Sequence, residues 1–302
     1  MHMSDDSSQT DRPHSTPFAP PSGQWPDREL LRLSDGYETG VFRHRPETRS
    51  DLPPVLYLHG IQSHPGWFFR SAAKLAENGH DVFQVTRRGS GANRTDRGHA
   101  RSAGQLLKDV ETAVEFIVEQ TGCQCVALAG VSWGGKLAAA YCASSDTKAV
   151  CSLTLIAPGI AARVDVSAAT KLKIAGCLLT RPRAEFDIPL DDPELFTDNE
   201  PMREFLGTDR LALHRASARF MYASRRLDRM ISRAAEGAVS MPVTLILSDD
   251  DQIIDTRAVD RIVTRLTGGR AETVTLSGKH TLEFQADPAD FHEALLRACA
   301  KR

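Results

Sequence analysis

Short apolar runs alternate with segments of helical period along most of the chain, and this alternation constrains the fold more than any single residue. The runs lie at 30–33, 38–44 and 55–58, then in "DVFQV", "CVALAG", "CSLTLIAPG", "PVTLILS" and "AETVTLSG". The run at 55–58, "VLYL", leads into a glycine-containing loop, the pattern of a strand covered on both faces. Between the runs, "WFFRSAAKLAENG" reads as a helix closed by Gly79, where a left-handed residue costs least. Residues 105–120 place Leu106, Leu107, Val110, Val114, Ile117 and Val118 on one helical stripe. Helices are also predicted at 136–143, 256–266 and 288–300. The pattern predicts an α/β fold: a mostly parallel sheet with helices on both faces. Such sheets bind ligands in the loops beyond the carboxyl ends of their strands.

The alternation breaks once. Residues 161–241 are helix-rich, charged and punctuated by Asp-Pro turn signals, and they read as a helical cap inserted after the sixth strand. That leaves 28–160 and 242–302 as the core. Residues 1–27 are polar and rich in Pro and Ser, the composition of a disordered tail without the layout of a secretory signal. At 302 residues, 41% hydrophobic and 25% charged, the composition is that of a soluble globular protein. A formal net charge of -2 gives no reason to expect a nucleic-acid partner. No apolar stretch approaches the ~20 residues needed to span a bilayer. The six cysteines are scattered, and Cys123 with Cys125 has neither zinc nor redox spacing, so the pair reads as small buried hydrophobes in a reducing cytoplasm.

The chemistry centres on "AGVSWGGKLAAA". Ser132 stands between Gly130 and Gly134, after a strand and before a helix, which fits a nucleophile elbow. There a serine side chain rises above the sheet at a helix amino terminus, where developing negative charge is favoured. A serine nucleophile needs a base, and the base an orienting acid, here expected in the chain order Ser, then Asp or Glu, then His. "LILSDDDQIID" and "LSGKHTLEF" each follow a late strand and supply both. His280 is the base. The acid is open among Asp249, Asp250, Asp251 and Asp255, the last also a good helix cap.

The chain resembles the α/β-hydrolases, specifically the lysophospholipase and monoacylglycerol-lipase-like branch with its serine-aminopeptidase relatives. The likeness covers about 30–300 and rests on "LHGIQSHPGWFF", "RRGSGAN", "GVSWGG", "LILSDDDQIID", "GKHTLEF" and, in the insertion, "DDPELFT" with 203–227. In such proteins the acid stands four positions before the aspartate opening the next helix, which implies Asp251. The oxyanion would be held by two backbone N–H groups, those of Trp133 and Ile61, with His59 as a brace. Relatives carry an aspartate at Thr86, in a loop that is structural. The resemblance implies a serine hydrolase of a carboxylic ester, lipid-like in its substrate, with no metal or organic cofactor.

Three other functions share these residues. "GVSWGG" and "RRGSG" are also similar to proline iminopeptidases, although "HGIQSHPG" lacks their Gly-Gly-Pro-Gly run. An acyltransferase on the same triad and a non-catalytic ligand-binding protein are the others. Within the insertion, Arg215, Arg219, Arg226, Arg229 and Arg233 recur at near-helical spacing. They read as a solvated face or as a stripe for transient contact with a membrane surface. Leu178, Leu179, Phe205, Leu206, Phe220 and Met221 read as lining for an acyl pocket or as ordinary packing.

Overall fold

The computed structural model describes residues 15–19, 25–48, 50–144 and 147–301. Its centre is an eight-stranded sheet. An amino-terminal hairpin of β1 (Asp27–Arg32) and β2 (Glu38–His44) leads into β3 (Val55–Leu58), α1 (Phe69–Glu77) and β4 (Val82–Val85). Then come α2 (Ala103–Thr121), β5 (Val126–Val131), α3 (Trp133–Ser144) and β6 (Val150–Ile156).

The inserted segment follows β6. It holds α4 (Ala168–Thr180), the short strand β7 (Glu185–Asp187), α5 (Glu200–Thr208), the short strand β8 (Arg215–Ser217) and α6 (Ala218–Arg233). The core resumes with β9 (Val243–Ser248), α7 (Thr256–Thr267), β10 (Glu272–Leu276) and α8 (Ala289–Cys299).

The strand order is β1-β2-β4-β3-β5-β6-β9-β10. β2 pairs antiparallel with β1 and β4, and within this sheet every other pairing is parallel. Each crossover from β3 onward therefore delivers its loop to one edge of the sheet. The middle strands β3, β4, β5 and β9 are buried at every position, whereas β10 at the edge is largely open. That contrast follows from helices on both faces: α1 packs with α8, and α2 with α3.

The structure adds to three sequence expectations. The inserted segment is not helical throughout, because β7 and β8 form an antiparallel pair. Of 1–27, residues 1–14 and 20–24 lie outside the described residues, but 15–19 is placed against the core. Phe18 sits beneath the Arg70 guanidinium at 4.5 Å and beside Phe284 at 6.1 Å. Cys123 and Cys125 are half-buried ahead of β5 rather than buried.

Candidate active site

Ser132 occupies the junction between β5 and α3 with φ of 53°, a left-handed conformation costly for a residue with a side chain. The glycines around it are demanded by close backbone approach. A Cβ on Gly134 would lie 2.4 Å from the Leu58 carbonyl oxygen, and one on Gly130 2.6 Å from the Gly134 oxygen. The turn is held by main-chain bonds: Ser132 N–H donates to Ile156 at 2.9 Å, and its carbonyl accepts from Gly159 at 2.8 Å and Lys136 at 3.1 Å.

His280 follows β10, and Asp251 follows β9. The imidazole bridges the other two side chains, with Nε2 2.9 Å from Ser132 Oγ and Nδ1 2.7 Å from Asp251 Oδ2. The second oxygen, Asp251 Oδ1, accepts from the N–H groups of Ile253 at 2.9 Å and Ile254 at 3.0 Å. Asp251 and His280 are both buried and Ser132 half-buried, so the serine is the most accessible of the three. Since the carboxylate only accepts, Nδ1 carries the proton and Nε2 is the nitrogen free to take one from the serine.

The three other aspartates of the loop are engaged elsewhere. Asp249 accepts from Gly278 N–H at 3.0 Å, Asp250 pairs with Lys279 at 2.7 Å, and Asp255 caps α7 through Ala258 N–H at 3.0 Å. Only Asp251 reaches His280.

The loop after β3 lies over the serine. A Cβ on Gly60 would be 3.8 Å from Ser132 Oγ. His59 is buried behind this loop: its Nε2 accepts the Arg87 N–H at 2.9 Å, which leaves Nδ1–H to donate to Gly60 O at 2.9 Å. Burial holds its pKa far below the ordinary histidine range, so it is a neutral brace. The N–H groups of Ile61 and Trp133 donate to no protein acceptor among the described residues.

Sequence reasoning missed the polar ties between the inserted segment and this loop. Asp209, ahead of β8, accepts from His64 Nε2 at 2.9 Å and Trp67 Nε1 at 2.7 Å. Burial and these donors act in opposite senses on Asp209, and the donors win, lowering its pKa. Phe196, also in the insertion, lies 6.2 Å from the His280 ring, edge to face. The apolar residues expected in the insertion divide. Phe220 and Leu206 are buried, and Phe205 packs on Trp67 and Phe284. Met221 and Leu178 are half-buried, and Leu179 is 91% exposed.

A parallel sheet of this order, with a serine at a strained strand–helix junction, defines an α/β-hydrolase. The chain belongs to the family described as serine aminopeptidase, S33, whose profile matches residues 53–284. Solved structures share the fold at low identity. The monoacylglycerol lipase of Paleococcus ferrophilus is 18% identical with a TM-score of 0.75, over 87% of this chain and 99% of that one. A soluble variant of the Saccharomyces cerevisiae monoglyceride lipase, in complex with a substrate analog, is 18% identical with a TM-score of 0.76, over 92% and 96%. A carboxyl esterase of Bacillus coagulans is 15% identical with a TM-score of 0.74, over 91% and 97%. None of the curated proteins compared matches the chain. Among the described residues, no helix is long and apolar enough to cross a membrane.

Proposed function

We propose that the protein is a serine hydrolase of carboxylic esters, with lipid-like monoacyl esters as its substrate class. The observation that carries this reading is the His280 imidazole between Ser132 Oγ at 2.9 Å and Asp251 Oδ2 at 2.7 Å. Ser132 Oγ bonds to the ester carbonyl carbon as its proton passes to His280 Nε2, and the carbonyl electron pair moves onto oxygen. The Ile61 and Trp133 N–H groups receive that oxyanion; one such donor contributes about 3–4 kcal/mol in related chemistry. Collapse of the adduct expels the alcohol, which takes the proton from His280. Water then repeats the sequence and releases the acid. Asp251 keeps the proton of the resting imidazole on Nδ1 and stabilises the imidazolium.

The ester reading draws on the likeness to two lipases and an esterase. The family description favours a peptide-bond substrate as the second reading. The inserted segment serves as the lid over the site. Its helix α4 exposes Leu172 at 74% and Leu179 at 91%, an apolar face suited to transient contact with a lipid surface. Of the arginines in the insertion, Arg226, Arg229 and Arg233 on α6 are exposed, while Arg215 on β8 is paired with Glu185 and Asp187.

A panel of p-nitrophenyl esters graded by acyl length, beside a proline arylamide and with Ser132→Ala as control, tests this function. Ester turnover faster than arylamide turnover and lost in Ser132→Ala is the expected result. Full ester turnover by Ser132→Ala contradicts it, and faster arylamide cleavage selects the second reading.

A further inference from the structure

Two arginines stand side by side after β4, and they have opposite surroundings. Arg88 pairs with Asp35 at 3.0 Å and Asp109 at 2.8 Å. Arg87 is only 7% exposed and, among the described residues, forms no ion pair. Its donors go to main-chain carbonyls instead. Nη2 lies 2.8 Å from Ile61 O and 3.5 Å from Gly60 O, and Nη1 lies 3.5 Å from Arg88 O. Its Nε is buried and, among the described residues, has no partner. Its Cζ sits 4.7 Å from the centre of the Trp133 ring and 5.2 Å from that of Phe220. Burial pulls its pKa down to about 9, which leaves it a cation at neutral pH.

A buried cation without a counter-ion works against stability. Its contacts indicate where the charge is used. The Gly60 carbonyl and the Ile61 N–H are two ends of one peptide unit. That carbonyl accepts from both His59 Nδ1 and Arg87 Nη2, and donors at the oxygen make the N–H at the other end a stronger donor. The Ser132–Trp133 peptide repeats the arrangement, its carbonyl accepting from Gly159 and Lys136 while its N–H stays free. Arg87 thus touches both residues whose N–H groups face the oxyanion, Ile61 through its carbonyl and Trp133 through its ring.

We infer that Arg87 is a positioning residue for the oxyanion site: it fixes and polarises the Gly60–Ile61 peptide, holds the Trp133 indole, and favours negative charge on the substrate oxygen. The inference rests on Ser132 being the nucleophile. It explains why an unpaired cation is kept inside the protein.

An alkyl trifluoromethyl ketone labelled with carbon-13 at its carbonyl tests it. Ser132 Oγ bonds to the labelled carbon, its proton passes to His280 Nε2, and the carbonyl electron pair becomes an alkoxide in the oxyanion site. The pH dependence of the carbon-13 shift gives the pKa of that hemiketal. Arg87→Met keeps the apolar stem over Trp133 and removes the charge. It is expected to raise the hemiketal pKa by about one unit and to lower kcat about tenfold, with KM and melting temperature held or the latter raised. Arg87→Lys restores the charge and recovers part of both effects. If Arg87→Met does not fold, Arg87→Lys and Arg87→Gln carry the same comparison. An unmoved hemiketal pKa overturns the inference, as does a fall in kcat that Arg87→Lys does not relieve at all. A wild-type protein that forms no adduct at Ser132 overturns the nucleophile assignment instead, and this inference with it.

Discussion

Trp133 donates its indole N–H to Ser224 Oγ at 2.9 Å, so the residue after the candidate nucleophile is bonded directly to helix α6 of the inserted segment. One turn further along α3, Lys136 pairs with Asp228 at 2.8 Å, and the Trp133 and Phe220 rings stack at 5.2 Å. α6 is therefore fixed to α3, while α4 buries only Ile174.

The Lys136–Asp228 pair is mostly buried, with side chains 10% and 20% exposed. Asp228→Leu alone strands the ammonium and is expected to cost about 3 kcal/mol, read from urea unfolding. Adding Lys136→Met is expected to recover most of it, because the uncompensated charge is then gone. A double variant as unstable as Asp228→Leu contradicts the pair's role.

Gly134→Ala places a methyl 2.4 Å from Leu58 O and 2.6 Å from His59 O, both main-chain atoms of the central sheet edge. Neither can move without shifting the loop after β3. Loss of about 3 kcal/mol or more and of ester turnover is expected, by thermal melting and assay. Gly176→Ala, on open α4, meets nothing within 4 Å and serves as the neutral control.

Burial holds four histidines below their ordinary pKa: His59, His80, His99 and His44, the last at about 4. Each is neutral in the fold and gains a proton on unfolding once the pH drops below 6.5. The unfolded state then binds more protons, so stability is full above that value and is lost as pH falls toward the folded values. For His44 alone the loss approaches on the order of 3 kcal/mol. Asp109, whose pKa burial raises, acts in the opposite sense from its own lower range. Melting temperatures measured between about pH 7 and about pH 4 are expected to fall steadily; a flat profile contradicts the buried neutral state.

Asp251→Asn keeps the shape of the acid but frees the imidazole to take the wrong tautomer, and about a 10⁴-fold loss of kcat is expected, as for the equivalent change in serine proteases. Asp249 is bonded to Gly278 and Asp250 to Lys279 and Gln252, away from His280, so Asp249→Asn and Asp250→Asn are expected to stay within about threefold of wild type by the same assay. Equal losses in all three contradict the assignment of the acid.

How much could be read in advance follows from the range of each interaction. Gly130, Ser132 and Gly134 were legible because the strand–turn–helix requirement is local, and the all-buried β3 and β5 announced themselves as apolar runs. Asp251 was not legible by pattern alone, since four carboxylates share its loop and only the fold directs one toward His280. β7 and β8 are three residues each, polar, and paired across a long gap in sequence, so no periodicity marks them. Arg87 and Arg88 look alike in "TRRG"; Arg88 finds carboxylates on other elements and Arg87 finds carbonyls of the β3 loop. The sign of an arginine's surroundings is a tertiary property.

Peptide mapping by mass spectrometry after treatment with a fluorophosphonate probe reports on whether Ser132 is an activated nucleophile, because the probe needs an activated serine and no knowledge of the natural substrate. The expected result is one adduct, on Ser132, that is lost in Ser132→Ala and slowed strongly in His280→Ala. An unlabelled Ser132 in folded wild-type protein, or an adduct that persists elsewhere in Ser132→Ala, contradicts it.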